Sequence, residues 1–158
     1  MGRQFSVAEG MAIRSAVAGD ADAIADVWLR SRASSFPAIP PTIHSDHDVQ
    51  AWFADVVLPT CEVWVSVAPS GQIVALLVLN QASIDQLYVD PDWFGRGIGS
   101  CLVELAKERR VDGLVLWTFQ SNHRAGRFYE RHGFDVCGTT AGDNEEGAPD
   151  MQYRWGQP

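Results

Sequence analysis

A glycine-rich turn lies between an apolar strand pattern and an amphipathic helix pattern, which leaves few folds open to this chain. Residues 84–104 read IDQLYVDPDWFGRGIGSCLVE, with Gly95, Gly97 and Gly99 at alternate positions. Glycines let the backbone come close to a ligand, and the first N–H groups of the following helix have no partner within that helix. Because those donors and the positive end of the helix dipole favour an anion, the segment predicts a phosphate-binding turn.

The residues around the turn do not match two common types of nucleotide-binding loop. A Walker P-loop requires Lys followed by Ser or Thr after the last glycine, whereas Gly99 is followed by Ser100 and Cys101. The dinucleotide motif GxGxxG requires a third glycine where Ser100 stands, and the next strand ends in Thr-Phe-Gln at 118–120 without an acidic residue for a ribose. The sequence therefore argues against both ATP and NAD loops of these types.

The same segment resembles motif A of the GNAT superfamily of acyl-CoA-dependent N-acetyltransferases. Leu-Tyr-Val-Asp-Pro at 87–91 is followed by Phe-Gly-Arg-Gly-Ile-Gly at 94–99, with Phe94 where the motif usually has Gln or Arg. The resemblance implies that backbone N–H groups of the turn hold the pyrophosphate of acetyl-CoA, with Arg96 beside it. The implied cosubstrate-binding residues are Leu87, Tyr88, Val89, Gly95, Arg96, Gly97, Ile98, Gly99 and Ser100.

A second segment, SNHRAGRFYERHGF at 121–134, resembles motif B of the same superfamily. The residues alone predict a helix capped by Asn122 and stopped at Gly133, with Phe128 and Tyr129 on its inner face. The resemblance implies that Asn122 and Phe128 contact acetyl-CoA and that Tyr129 lies beside the thioester sulfur, where it protonates the leaving thiolate. Taken singly, Asn122 also fits a simple helix cap and Tyr129 a core aromatic.

The end of the chain extends the resemblance to a group of bacterial GNAT sequences. Asn-Glu-Glu-Gly-Ala-Pro-Asp at 144–150 precedes the strand pattern Met-Gln-Tyr-Arg-Trp. An acidic surface loop is usually solvated, so we expect a polar loop leading into a last strand, in preference to a part of the substrate site.

Acetylation of an amine requires a group that removes a proton, and two residues are candidates. Asp85 precedes Leu87 by two positions in its strand, so strict alternation places both on the face that meets the cosubstrate. Some superfamily members have a catalytic Glu at the corresponding position, and a shorter Asp would act through a water. His44, which follows a loop rich in proline at 36–42, is the second candidate. A strand-edge carboxylate and a helix-capping imidazole are the structural alternatives.

Hydrophobic periodicity predicts the remaining elements. Helices are expected at 20–32, behind an Asp20 cap, and at 46–57; strands are expected at 11–14, 62–67, 73–79, 84–89, 114–119, 134–138 and 151–155. With the resemblance, this order implies an α/β GNAT fold: a mixed, mostly antiparallel sheet with a splayed central strand pair, flanked by helices. Residues 11–156 are expected to form one N-acetyltransferase domain, preceded by a flexible extension at 1–10.

Composition limits the partners and the location. A net charge of −8 argues against a nucleic-acid surface and is compatible with a cationic substrate. The three cysteines show no metal-ligand spacing, and no signal segment or membrane span is evident, so we expect a cytoplasmic protein without a metal. The last strand pattern is also compatible with a homodimer interface.

These observations predict an enzyme that transfers acetyl from acetyl-CoA to a primary amine by direct attack in a ternary complex. The expected acceptor is a small cationic amine, and a protein amine is also compatible. The alternatives are a non-catalytic acyl-CoA-binding sensor, which the departure at Phe94 favours, and a purely structural interaction domain.

Overall fold

Seven strands and four principal helices form the part of the chain that the computed structural model describes, residues 10–158. The strands are β1 (Ala12–Ser15), β2 (Glu62–Val67), β3 (Ile73–Asn80), β4 (Ser83–Val89), β5 (Gly113–Phe119), β6 (Asp135–Thr140) and β7 (Asp150–Gly156). The helices are α1 (Ala21–Ser34), α2 (Asp46–Trp52), α3 (Ile98–Arg109) and α4 (His123–Arg131). The extension predicted at 1–10 lies outside the described residues except for Gly10.

One mixed sheet contains all seven strands, in the order β1-β2-β3-β4-β5-β7-β6. Every neighbouring pair is antiparallel except β4 and β5, which are parallel. The predicted α/β fold and its mostly antiparallel sheet are therefore confirmed.

Each face of the sheet has its own hydrophobic core because both faces carry helices. On one face α1 and α2 bury Ile24 and Val49 against strand residues such as Leu76. On the other face α3 and α4 bury Leu102 and Tyr129 among residues of the central strands. The glycine-rich turn and motif B lie on the second of these faces, at the start of α3 and along α4.

The splayed strand pair is present at the centre of the sheet. Strand β4 pairs with β5 at a single position, Ser83 opposite Val115, and the strands then diverge. On its other edge β4 pairs with β3 from Ser83 to Val89, with one irregularity at Asp85. The divergence therefore leaves the β5-facing backbone of β4 without strand partners over Leu87–Val89.

A β-bulge interrupts β4 at Asp85. Ile84 lies opposite Leu79 and Gln86 opposite Val78, so Asp85 is an extra residue between two adjacent partners. Ile84 lies three positions before Leu87 and would face the opposite side in strict alternation, but it packs in the same core as Leu87. The alternation that was expected to place Asp85 on the face of Leu87 therefore does not hold across the bulge.

The helices differ from expectation mainly at their ends. The helix predicted at 46–57 is α-helical over Asp46–Trp52, π-helical over Phe53–Val57, and ends with a turn at Leu58–Thr60. Asp20 precedes α1, but its carboxylate makes no cap bond to that helix and instead accepts from Arg14 and from the N–H of Val17. The Asp20 carboxylate thus pairs with Arg14 and does not form the expected cap of α1.

Candidate active site

The glycine-rich turn lies at the N-terminus of α3 with its backbone open to a neighbouring cleft. Gly95 and Gly97 have φ angles of 76° and 78°, a left-handed conformation that glycine adopts without strain. A Cβ atom added at either residue would meet no heavy atom within 4 Å. The turn therefore exposes backbone next to a helix N-terminus, as a site for phosphate groups requires.

The cleft beside this turn has a volume of 380 Å³ and extends from the turn to the inner face of α4. Both sequence motifs line it. Of the residues predicted to contact acetyl-CoA, it is lined by Leu87, Tyr88, Val89, Gly95, Gly97, Ile98, Gly99, Ser100, Asn122 and Phe128. Arg96 does not line the cleft: its side chain is exposed, with the guanidinium carbon 4.3 Å from the centre of the Trp93 ring.

A smaller cavity of 100 Å³ occupies the gap between the diverging strands β4 and β5. It shares Leu87, Tyr88 and Tyr129 with the cleft, so the two spaces adjoin. The unpaired backbone of β4 faces this gap. An extended chain with amide groups can pair with such an edge in the way that another strand would.

Tyr129 lies on α4 at the junction of the cleft and the strand gap. Its ring packs against Phe128, Phe134 and Tyr153, with ring centres 5.2, 5.6 and 6.1 Å away. Burial, with a smaller contribution from Tyr88, raises the pKa of Tyr129, so the hydroxyl is protonated at neutral pH. Among residues 10–158 that hydroxyl has no hydrogen-bond partner, which leaves its proton available to a ligand in the cleft.

Asp85 also reaches the strand gap, although by a different route from the one expected. The bulge turns it out of the regular alternation, and the residue is exposed while lining the small cavity. Tyr129 and Asp85 therefore line one space, with Asp85 accessible to water.

His44 lies on the opposite side of β4, in a third cavity of 390 Å³. Its Nε2 atom is 2.9 Å from Oε2 of Glu145, a residue of the loop between β6 and β7. His44 lines neither the cleft nor the strand gap. The structure thus separates the two predicted base candidates and brings only Asp85 into the same cavity as Tyr129.

The loop at 144–150 is more than a solvated surface segment. Glu146 forms an ion pair with Arg32 of α1 at 3.0 Å, and the two side chains are only 16% and 9% exposed. Asn144 donates hydrogen bonds to Ala148 and to Asp150, which holds the loop in shape. The expectation of a merely solvated loop is wrong, because Glu146 supplies the countercharge that a buried guanidinium needs.

Phe94, the residue that departs from motif A, is covered by a cation from motif B. The guanidinium carbon of Arg124 lies 4.4 Å from the centre of the Phe94 ring, and both side chains line the cleft. Cation–π attraction of this kind holds the guanidinium beside the turn. A positive side chain therefore stands near the turn despite the loss of Gln or Arg at position 94.

Asn122 and Ser100 are positioned by local contacts. Asn122 Oδ1 accepts the N–H of Ala125 at 3.2 Å, the cap predicted from motif B, and the residue lines both the cleft and the strand gap. Ser100 Oγ lies 3.0 Å from Nε2 of His132. Burial lowers the pKa of His132, so a neutral imidazole orients the Ser100 hydroxyl at neutral pH.

Several residues near these cavities carried no local signal in the sequence. Arg124 belongs to motif B, but only the folded chain brings it over Phe94. Trp28 and Trp52 fall within the helices predicted at 20–32 and 46–57, and both line the cavity around His44. A sequence pattern reports which face of a helix is apolar, not which cavity that face closes.

No helix within residues 10–158 has the length and apolar character needed to cross a bilayer. In the same range, no three or more His, Cys, Asp and Glu side chains are grouped as metal ligands would be.

Comparison with known proteins agrees with the fold and the motifs. Residues 59–136 match the family described as Acetyltransferase (GNAT) domain. The chain is 36% identical over 87 residues to the peptidyl-lysine N-acetyltransferase YjaB of Salmonella typhimurium, a match that covers 55% of this chain and 59% of that protein.

Solved structures extend the similarity to nearly the whole chain. The solution structure of apo-form YjaB from Escherichia coli superposes with a TM-score of 0.75 and 24% identity, covering 94% of this chain and 99% of that one. The structure of yncA, a putative acetyltransferase from Salmonella typhimurium with its cofactor acetyl-CoA, gives a TM-score of 0.69 at 18% identity, covering 94% of each chain. At these sequence identities, the two structural similarities are evidence for the fold alone. The matched domain, the two motifs and the splayed strands support a GNAT-superfamily acetyltransferase.

Proposed function

We propose that the chain transfers an acetyl group from acetyl-CoA to a primary amine, by direct attack of the amine on the thioester in a ternary complex. The observation that carries this proposal is the divergence of β4 and β5, which leaves an unpaired strand edge between an open glycine turn and the Tyr129 hydroxyl. An acyl carrier with a charged end, an amide-bearing arm and a thioester matches that order of features.

The donor would bind along the cleft through groups of both motifs. The pyrophosphate would accept hydrogen bonds from backbone N–H groups of residues 95–99 at the start of α3. The two amides of the pantetheine arm would pair with Leu87 and Val89 on the unpaired edge of β4. An N–H of this edge would also polarise the thioester oxygen, which gains negative charge in the transition state.

Tyr129 would act on the leaving group. As the C–N bond forms and the C–S bond breaks, negative charge develops on sulfur, and a protonated hydroxyl beside it stabilises that charge. The raised pKa of Tyr129 keeps the hydroxyl protonated at neutral pH, so it is in the form that can donate to the developing thiolate. Overall the amine nitrogen loses one proton and the sulfur of CoA gains one, so the reaction is balanced without a redox partner.

A covalent acyl-cysteine route has less support. Cys101 follows the glycine turn, but it lies within α3 and is partly buried. Burial, followed by the charge of Glu104, raises the pKa of the thiol and disfavours the thiolate that such a route needs.

Removal of the amine proton is the second requirement. A lysine-like amine has a pKa of about 10.4, so roughly one molecule in a thousand is free to attack near neutral pH, and a positioned base is worth about 10² to 10⁴ in rate. Asp85, exposed to water beside Tyr129, would accept this proton through a water molecule. His44, which faces Glu145 in the neighbouring cavity, is the second candidate.

The pH–rate profiles of Asp85→Asn and His44→Gln distinguish these two bases. We expect Asp85→Asn to shift the profile toward higher pH and to lower turnover at neutral pH at least about tenfold. His44→Gln, measured in parallel, should leave the shape of the profile unaltered. The reverse pattern would assign the proton transfer to His44.

The acceptor would be an amine that is cationic in solution. The related protein of Salmonella typhimurium is named a peptidyl-lysine N-acetyltransferase, which supports a lysine side chain of a protein. A small cationic amine is the alternative, and the acidic net charge of −8 suits either.

Titration calorimetry with acetyl-CoA, followed by thiol release in the same sample, tests the proposal. The acceptors would be a lysine-containing peptide and a panel of small amines. Binding together with acceptor-dependent thiol release is the expected result. Binding without release for any amine would favour the non-catalytic sensor, and absence of binding would refute the assignment of the cleft.

A further inference from the structure

His132 connects the proposed acetyl-CoA cleft to a carboxylate that lies outside it. Its Nε2 atom is 3.0 Å from the hydroxyl of Ser100, a residue of the first turn of α3 that lines the cleft. Its Nδ1 atom faces Oε1 of Glu104, one turn farther along α3, at a distance of 3.5 Å. Ser100, His132 and Glu104 therefore form a chain of three polar groups that begins at the cleft and ends at the protein surface.

The carboxylate of Glu104 decides which ring nitrogen of His132 carries the proton when the imidazole is neutral. A proton on Nδ1 points toward Glu104 and is stabilised by its charge, which leaves a lone pair on Nε2. The hydroxyl of Ser100 then donates to Nε2. Because a hydroxyl has a single proton, Ser100 in this state presents only lone pairs to the cleft. A neutral imidazole therefore makes Ser100 a poor partner for an anion.

A phosphate group at the start of α3 would compete with His132 for the proton of Ser100. If the hydroxyl turns toward the phosphate, Nε2 loses its partner while the side chain of His132 is only 16% exposed and its ring packs against Phe128, with centres 4.7 Å apart. A buried nitrogen without a partner is unfavourable. A second proton on the imidazole removes the conflict, because Nε2–H then donates to Ser100 and the hydroxyl of Ser100 donates to the phosphate.

The charges around His132 favour this proton only when an anion is present. Burial, the largest effect, lowers the pKa of His132. Glu104 raises that pKa, whereas the cations Lys107 and Arg131 lower it. The ammonium of Lys107 donates to Glu104 Oε1 at 3.3 Å and to the carbonyl of His132 at 2.6 Å, so it weakens the effect of the carboxylate. Glu104 lies at Nδ1, and an anion beside Ser100 would add negative charge on the Nε2 side.

We propose that His132 is a positioning residue for acetyl-CoA, and that binding of the pyrophosphate is coupled to uptake of one proton from solvent by its imidazole. The inference rests on the proposed binding of acetyl-CoA in the cleft, and it makes that binding depend on pH. The proton enters at Nε2, the ring gains one positive charge, and Ser100 becomes a donor to the phosphate. The affinity for acetyl-CoA is then highest below the pKa of His132 in the free protein. It falls as the pH rises toward the higher pKa of His132 in the complex, and it is constant above that.

Titration calorimetry with acetyl-CoA, without an acceptor amine, measures this coupling. We expect the Kd to be about fivefold lower at about pH 6 than at about pH 8, since a rise of one pKa unit on binding is worth up to about tenfold. His132→Gln keeps an N–H donor near Ser100 but does not titrate, so it should lose this dependence. His47→Gln is the matched control, because it removes an exposed histidine of α2 outside the cleft and should behave as the wild type. Ionisation of the phosphates of CoA itself contributes equally to every variant, so each variant is compared with the wild type at the same pH.

NMR titration of the Cε1–H signal of His132 separates this inference from the catalytic proposal, and it needs only the wild-type protein once the signal is assigned. A higher pKa of His132 with acetyl-CoA bound than without it supports the inference even if no amine is acetylated, and Ser100→Ala should abolish that difference. Acetyl-CoA binding that leaves the titration of His132 unchanged overturns the inference while acetyl transfer stands. The wild-type pH dependence retained in His132→Gln overturns it in the same way. Absence of acetyl-CoA binding at both pH values overturns it together with the assignment of the cleft.

Discussion

Replacing Arg124 with Ala is expected to weaken acetyl-CoA binding about fivefold. Its guanidinium lies over Phe94 at 4.4 Å and lines the cleft next to the glycine turn, so it would be near the pyrophosphate. Because the side chain is exposed, we discount the contact to about 1 kcal/mol, which corresponds to roughly a fivefold change in Kd. The assay is titration calorimetry with acetyl-CoA at low and moderate salt, and the difference should shrink as salt screens the charges.

Two further variants make this prediction specific. Arg127→Ala removes an exposed cation from the same helix but outside the cleft, and should leave the Kd nearly unchanged. Phe94→Arg in the Arg124→Ala background returns a cation to the usual position of the motif and should restore much of the affinity. Equal affinities of Arg124→Ala and Arg127→Ala would refute the idea that Arg124 compensates for Phe94. Additivity of the two substitutions in a double-mutant cycle would refute the coupling between them.

Tyr129→Phe should lower turnover at least about tenfold with an unchanged acetyl-CoA Kd, because only the hydroxyl group that protonates the leaving thiolate is lost; equal turnover in thiol-release assays would remove Tyr129 from the mechanism. Glu146→Ala should reduce the free energy of unfolding by about 3 kcal/mol, since it leaves Arg32 buried without a countercharge, and Arg32→Met added to it should recover part of that loss in urea unfolding. The Arg14 hydrogen bond lowers the pKa of Asp20, so this carboxylate stabilises the fold above its unfolded pKa and loses that effect as pH falls through its folded pKa. Asp20→Asn should therefore cost about 1 kcal/mol at pH 7 and nearly nothing at about pH 2, and a pH-independent difference would contradict this sign.

Local features of the chain were predictable because their causes are local. The left-handed turn at Gly95 and Gly97, the cap at Asn122 and the stop at Gly133 each depend on a few adjacent residues, and the structure has all of them. Strand and helix positions followed from hydrophobic periodicity in the same way, with errors of a few residues at the ends.

The position of Asp85 shows where this reasoning fails. Alternation of side chains assumes regular pairing along the strand. The pairing of β4 with β3 contains a bulge at Asp85 that the sequence of β4 does not indicate. The bulge changes the direction of one side chain, and that side chain is a candidate base. The sequence pattern identified Asp85 as a candidate base but did not predict the direction of its side chain.

The sequence by itself predicted the superfamily and the residues of the proposed acetyl-CoA cleft, since both motifs are contiguous and their backbone conformations are set by glycines and caps. Only the tertiary structure showed how α1 and the β6–β7 loop are arranged beside each other. There Arg32 meets Glu146 and His44 meets Glu145, pairs that are separated by 114 and 101 residues along the chain. Such contacts depend on how helices and loops from distant segments pack across the sheet, and side-chain periodicity along one segment holds no information about them.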